Sequence, residues 1–290
     1  MQPLSHTKVA GIILAAGKGM RMKSALPKCL HTVCGLPMAE YVGRAMMEAG
    51  VAKPIVVIGH GGDLLRAELG DKYDYVYQKE QLGTGDATKA ALMKLEGFKG
   101  AVLVGPGDAP LINSSAMQSL VEQYLRCEAD CVVATCRLDD PTGYGRIIRD
   151  EMQNPIEIIE EVDADDSQRG INEVCTSFYC FDAKALQKFL PQLGNNNRKG
   201  EYYLTDLAAL IAESKGKVVT QEFSDPEILR GVNDRFQLAE AAQVMRMRIL
   251  RQHALNGVTL ADLNSIHIGA NVLIASETKI DAMRFGSSCT

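Results

Sequence analysis

The chain has 290 residues, 46% hydrophobic and 23% charged, which is enough apolar material for a sizeable globular core. A net charge of −5 argues against a surface that coats nucleic acid, and no apolar run approaches the ~20 residues of a membrane span. Eight cysteines without a CxxC pair read as buried free thiols in a reducing cytoplasm.

The first predicted element is a buried strand over Val9 to Leu14. It is too short for a signal peptide and runs into glycine and lysine rather than a cleavage site. The following Ala15-Ala16-Gly17-Lys18-Gly19 has little side-chain bulk and a series of free backbone N–H groups, which together form an anion-binding concavity. Arg21, Lys23 and Lys28 then add positive charge. The spacing excludes two familiar phosphate motifs. Gly11 stands one place too far from Gly17-Lys18 for a P-loop, and Met22 occupies the third glycine of a dinucleotide fingerprint. What is left fits either a phosphate loop or an ordinary strand-to-helix turn, and the neighbouring residues decide between them.

LAAGKGMRM followed by Leu26-Pro27-Lys28 resembles the signature of the sugar-1-phosphate nucleotidyltransferases. Downstream segments narrow the likeness to the uridyltransferase half of bacterial bifunctional N-acetylglucosamine-1-phosphate uridyltransferases. The resemblance runs from about Val9 to beyond Asn233. It implies that Leu14, Ala15, Ala16, Gly17 and Lys28 line the nucleotide, with Arg21, Lys28 and Asp108 catalytic. Met20 stands where the family usually has Thr or Ser, which removes one hydroxyl from the phosphate loop.

A helix is predicted over 37–50, then a strand over Ile55–Ile58, a helix over 63–69 and a strand over 73–77. QLGTGDA follows and leads a helix predicted over 87–95. By itself this reads as a turn capping that helix. The resemblance instead makes it the loop that reads uracil, through Gln78, Gln81, Gly83 and Thr84, with Asp86 in place of the more usual His. The next strand, 101–104, ends in Pro106-Gly107-Asp108, where the family has Tyr-Gly-Asp. A carboxylate flanked by glycine at a strand end can coordinate Mg²⁺ directly, or it can be a turn residue ahead of a helix over 114–127 capped by Asn113. Alternating strands and helices argue for an α/β, Rossmann-like and mostly parallel sheet, with ligands at the carboxyl ends of its strands.

Strands are predicted over 131–135, 146–149, 156–159 and 174–181. Pro141-Thr142-Gly143-Tyr144-Gly145-Arg146 resembles the family's sugar-binding turn, and Glu160 stands where a carboxylate holds sugar hydroxyls. The resemblance thus implies a sugar pocket of Gly107, Gly145, Glu160, Cys175 and Asn233. Cys175 replaces an expected Asn, and its thiol is a weak donor and acceptor. The acidic run from Glu160 to Asp166 otherwise reads as a solvated loop, with no role for Asp163, Asp165 or Asp166. Gly200-Glu201-Tyr202-Tyr203-Leu204-Thr205-Asp206 matches another family segment and leads a helix through Ile211. Asn233 resembles a second Mg²⁺ ligand beside Asp108; on spacing alone it is an N-cap for a long helix over 235–255.

Ile268, Ile274 and Ile280 recur at intervals of six, the mark of a left-handed β-helix. Three segments are therefore expected: a nucleotidyltransferase domain over 1–232, a linking helix over 233–257 and a hexapeptide start or cap over 258–290. So few repeats predict neither acetyl transfer nor a trimer. The implied function is Mg²⁺-dependent formation of a UDP-sugar and pyrophosphate from UTP and a sugar 1-phosphate. N-acetylglucosamine 1-phosphate is the expected acceptor, for cell-envelope precursors. The alternatives are another sugar 1-phosphate, dTTP, or a non-catalytic nucleotide-sugar-binding regulator; no nucleic-acid or membrane partner is expected.

Overall fold

The computed structural model describes residues 7–281, so Cys289 lies outside the described residues. The first half runs β1 (Val9–Leu14), β2 (Thr32–Val33), β3 (Leu36–Pro37), α1 (Met38–Glu48), β4 (Ile55–Ile58), α2 (Gly62–Leu69), β5 (Asp74–Tyr77), α3 (Thr84–Ala91), β6 (Ala101–Pro106) and α4 (Ser114–Cys127). It continues with β7 (Cys131–Arg137), β8 (Gly145–Arg149), β9 (Pro155–Ile159), α5 (Asp166–Arg169), β10 (Glu173–Asp182), α6 (Ala183–Phe189), α7 (Asp206–Glu213) and β11 (Val218–Glu222). The last elements are α8 (Arg235–Leu255), β12 (Thr259–Leu260) and β13 (Lys279–Ile280).

The main sheet has the order β5-β4-β1-β6-β10-β7-β11, with β8 and β9 branching from β10. Strand β1 is parallel to both β4 and β6, whereas β10 runs antiparallel to β6 and β7. The result is the mostly parallel α/β sheet that the alternating pattern requires. Successive strand residues face opposite sides. Ile12, Val57, Val102 and Phe181 therefore pack under Leu186, Leu207 and Ile211 from α6 and α7. Their neighbours Ile13, Val56 and Leu103 pack on Val42, Met46 and Leu120 from α1 and α4. Each such side chain contributes about 1.5–3 kcal/mol when fully buried, so both helical layers are held firmly to the sheet.

Several boundaries differ from the sequence reading for identifiable reasons. The strand expected from residue 73 starts at Asp74, because Tyr73 is buried and its hydroxyl donates to Glu40 Oε2 at 2.9 Å. The helix expected over 87–95 begins at Thr84 and tightens into a 3-10 turn over Leu92–Leu95. Asp165, given no role above, caps α5 by accepting from Gln168 N in a capping box. Helix α6 and edge strand β11 carry too little periodic signal to be anticipated.

Past α8, Leu250, Ile266 and Ile268 form a small cluster joined by half-buried Ile274 and Ile280, and β12 pairs in parallel with β13. No helix among the described residues is long and apolar enough to cross a membrane. The seven described cysteines are all free, and five of them are buried.

Candidate active site

The carboxyl ends of β6, β1, β4 and β5 follow one another along one edge of the parallel part of the sheet, and the loops leaving β1, β5 and β6 carry most of the first two groups of candidate residues. Gly107 N donates to Leu14 O at 2.9 Å, which holds the loop after β6 against the loop after β1. A Cβ at Gly107 would approach Cys29 Sγ and Ile13 Cγ2 to 3.2 Å, so a larger residue would crowd this close passage. Gly19 has φ +60°, and a Cβ on it would lie 2.6 Å from Lys28 Cβ. That backbone turn brings Lys28 back across the loop. A Cβ at Gly17 would meet nothing within 4 Å, which leaves its backbone open to an incoming group.

Lys28 Nζ pairs with Asp108 Oδ2 and donates to Asn233 Oδ1 at 2.9 Å, and Arg21 Nη2 donates to the same Asn233 oxygen at 2.8 Å. Arg21, Lys28, Asp108 and Asn233 thus form one connected group drawn from three distant parts of the chain. Val232 N donates to Asp108 O at 2.8 Å and fixes the distance between the two acceptor side chains. Asp234, not Asn233, is the N-cap of α8, accepting from Gln237 N at 2.8 Å. Asn233 is therefore free to turn its amide oxygen toward the cations. The oxygens of Asp108 and Asn233 converge on a single ammonium, and an oxygen-only pair of this kind suits a hard cation that keeps water and phosphate as its other ligands. Among the described residues no group of three His, Cys, Asp or Glu is set to hold a metal. Beside this group, burial and the neighbouring Asp108 push the Cys29 thiol up to about 12, which leaves it protonated and unsuited to nucleophilic attack.

Gln78, Gln81, Gly83 and Thr84 form a second group. Gln81 Nε2 donates to Ala16 O at 3.1 Å and ties this loop to the first. Gly83 has φ +112°, and a Cβ on it would fall 2.5 Å from Tyr202 O. Tyr202 N donates to Leu82 O and Gly85 N to Tyr202 O, both at 2.7 Å, while Thr84 Oγ1 accepts from Leu204 N at 3.0 Å. The hydroxyl of Thr84 is thus used to hold the 202–204 segment. Gln78 is buried at 6% exposure, and its Nε2 donates to Gly83 O at 3.0 Å and Asp86 Oδ2 at 2.8 Å.

Gly145, Glu160 and Cys175 form the third group. Gly145 pairs with Cys175 across β8 and β10, and Arg146 pairs with Ile159 just before Glu160. Buried Arg146 donates to the carbonyl of Tyr144 and, at 2.6 Å, to Glu161 Oε2, so it clamps the turn before Gly145 to the segment carrying Glu160. The register of β10 shifts between Cys175 and Tyr179, where Ser177 adopts φ +62°, and the Cys175 thiol lies 3.1 Å from the Tyr179 hydroxyl. Burial pushes that thiol up to about 12. Thr205 Oγ1 donates to Glu160 Oε1 at 3.0 Å. Burial raises the Glu160 carboxyl, and burial together with Glu160, Glu157 and Asp163 brings Asp206 up to about 6.

Sequence reasoning gave no role to Thr205 or Tyr203. The Tyr203 hydroxyl is buried without a hydrogen-bond partner among the described residues, and Thr205 is the direct partner of Glu160. Their signal was the GEYYLTD segment itself, whose polar side chains stand among apolar ones. The third group meets the second through this segment, whereas Lys28, Asp108 and Asn233 are bonded among themselves.

A family model described as the MobA-like NTP transferase domain matches residues 11–174. The chain is 43% identical over 269 residues to the Bifunctional protein GlmU of Geobacillus sp. (strain WCH70), covering 93% of this chain and 59% of that protein. It is 44% identical over 275 residues to the Bifunctional protein GlmU of Caldanaerobacter subterraneus subsp. tengcongensis, covering 94% of this chain and again 59% of the relative. The chain therefore spans well under two thirds of the length of these relatives.

Proposed function

Because this chain belongs to the MobA-like NTP transferase domain family, we propose that it transfers a uridylyl group from UTP to a sugar 1-phosphate, with N-acetylglucosamine 1-phosphate as the acceptor. A phosphate oxygen of the sugar attacks the α-phosphorus, the bond from that phosphorus to the bridging oxygen breaks, and pyrophosphate leaves. The products are a UDP-sugar and pyrophosphate. The observation that carries this reading is the convergence of Lys28 on both Asp108 and Asn233, with Arg21 beside it.

Phosphoryl chemistry of this type needs positioned charge more than a covalent nucleophile. Lys28 and Arg21 offset the negative charge that grows on the α-phosphate and the departing pyrophosphate. Asp108 and Asn233 would hold Mg²⁺, which when bound supplies Lewis-acid neutralisation of phosphate oxygens. Gly17 and the adjoining backbone accept the triphosphate closely, Gln78 and Gly83 face the base, and Glu160 with Thr205 holds sugar hydroxyls. Free buried thiols support a cytoplasmic setting.

A pyrophosphate-release assay over a panel of nucleoside triphosphates and sugar 1-phosphates tests the proposal. Turnover is expected with UTP and N-acetylglucosamine 1-phosphate. Tight UTP binding without pyrophosphate release from any pair would instead identify a nucleotide-binding regulator.

A further inference from the structure

Gln78 directly follows β5, its side chain is nearly buried, and its amide has two different faces to offer. Its nitrogen lies between Gly83 O at 3.0 Å and Asp86 Oδ2 at 2.8 Å. A backbone carbonyl and a carboxylate both accept only, so the atom between them has to be the NH₂ group. Chemistry alone therefore settles the orientation of the amide. Both N–H donors of Gln78 are consumed, and its Oε1 accepts no hydrogen bond among the described residues. The residue is 94% buried by its 6% exposure, so this oxygen is a leftover acceptor on an otherwise fixed side chain.

We infer that Asp86 is a positioning residue that locks the Gln78 amide with its oxygen toward the bound base, so the site takes a pyrimidine presenting an N–H at ring position 3 and rejects one presenting a bare nitrogen there. This rests on the reading that the 78–84 loop holds the base of the nucleotide. Uracil carries the required N–H. Cytosine carries a lone pair at the same place, which would face the Gln78 oxygen with no proton between them. A buried acceptor left against an acceptor is the kind of mismatch that gives large discrimination. Turning the amide over to suit cytosine would place Oε1 against Gly83 O and the Asp86 carboxylate, and the carboxylate makes that turn the more unfavourable. Thymine shares the pairing edge of uracil, so the lock leaves UTP and dTTP alike at this position.

The test is calorimetric binding of UTP and CTP to the whole chain and to its Asp86→Ala and Asp86→Asn variants, with thermal melts as a check on folding. The unaltered chain should bind UTP roughly a hundredfold more tightly than CTP. Asp86→Ala should narrow that ratio by about tenfold, in line with losing one charge-assisted hydrogen bond. Asp86→Asn keeps the shape and can donate to a turned amide, so it should narrow the ratio as well. Equal binding of CTP and UTP by the unaltered chain would overturn the inference, and so would an unchanged ratio in folded Asp86→Ala. Selective UTP binding without pyrophosphate release would sink the transfer reaction and leave the lock standing.

Discussion

Lys28 forms an ion pair with Asp108 across 80 positions of sequence, and the same ammonium reaches Asn233 across 205. Both side chains are largely buried, with exposures of 13% and 21%, so the cost of desolvation offsets much of the attraction and the pair mainly sets where charge is held. Asp108→Ala should cut turnover by roughly a thousandfold, since metal-borne charge stabilisation is worth several kcal/mol. The melting temperature should stay within a few degrees, because Asp108 supports no core. Steady-state pyrophosphate release with and without EDTA checks this, and near-normal rates in either case would remove the metal assignment.

Gly83 is held at φ +112° with the Tyr202 carbonyl against it. Gly83→Ala should therefore destabilise the chain by about 1–3 kcal/mol through backbone strain and the displaced 202–204 segment. UTP affinity should fall with it. Urea unfolding together with UTP titration reads both effects, and a fully stable variant would show that the segment yields without cost.

Asp206 gives a pH signature. Its carboxyl is raised from 3.8 to about 6 in the folded chain, so the folded state binds the proton more tightly than the unfolded one. Stability from this group is complete below about pH 3.8 and is lost as pH rises through 6. Asp206→Asn should leave stability unchanged near pH 4 and raise it at pH 7.5 by about 1–2 kcal/mol, after allowance for partial solvent screening. Denaturant midpoints at the two pH values decide it, and an equal gain at both would assign the effect to helix propensity.

The Cys175 thiol is neutral and engaged with Tyr179, and the proposed sugar pocket puts it where an amide is expected. Cys175→Asn should lower the KM for N-acetylglucosamine 1-phosphate several-fold, about 1 kcal/mol for one hydrogen bond. The KM for UTP should not move. Paired KM values for the two substrates test this, and a change confined to UTP would place Cys175 on the nucleotide side.

The legible parts of the fold were those with strong local rules. Apolar runs at 9–14, 55–58 and 101–104 are buried on both faces, and Asn113 caps α4 as its position implies. The loop after β1 stood out as a candidate because glycine and cations stand close together in sequence. Thr205 did not, since its bond to Glu160 joins residues 45 positions apart that no local pattern links. Asn233 was ambiguous for a related reason. Asn and Asp at 233 and 234 are equally good caps, and only packing shows that Asp234 takes the cap.

The place of β10 between β6 and β7 bears on how the chain is made. Strands β6 and β7 precede β10 in synthesis but pair with it and not with each other. As the chain emerges, each waits with an open edge until residue 182 is free to slot between them. Unpaired edges of this kind are where misassembly and aggregation begin. The ribosome therefore carries a half-zipped sheet for the time it takes to deliver α4 through β10, and the charge-bearing group around Lys28 closes later still, when Asn233 arrives. Slow stretches of translation or chaperone contact would matter most over that interval.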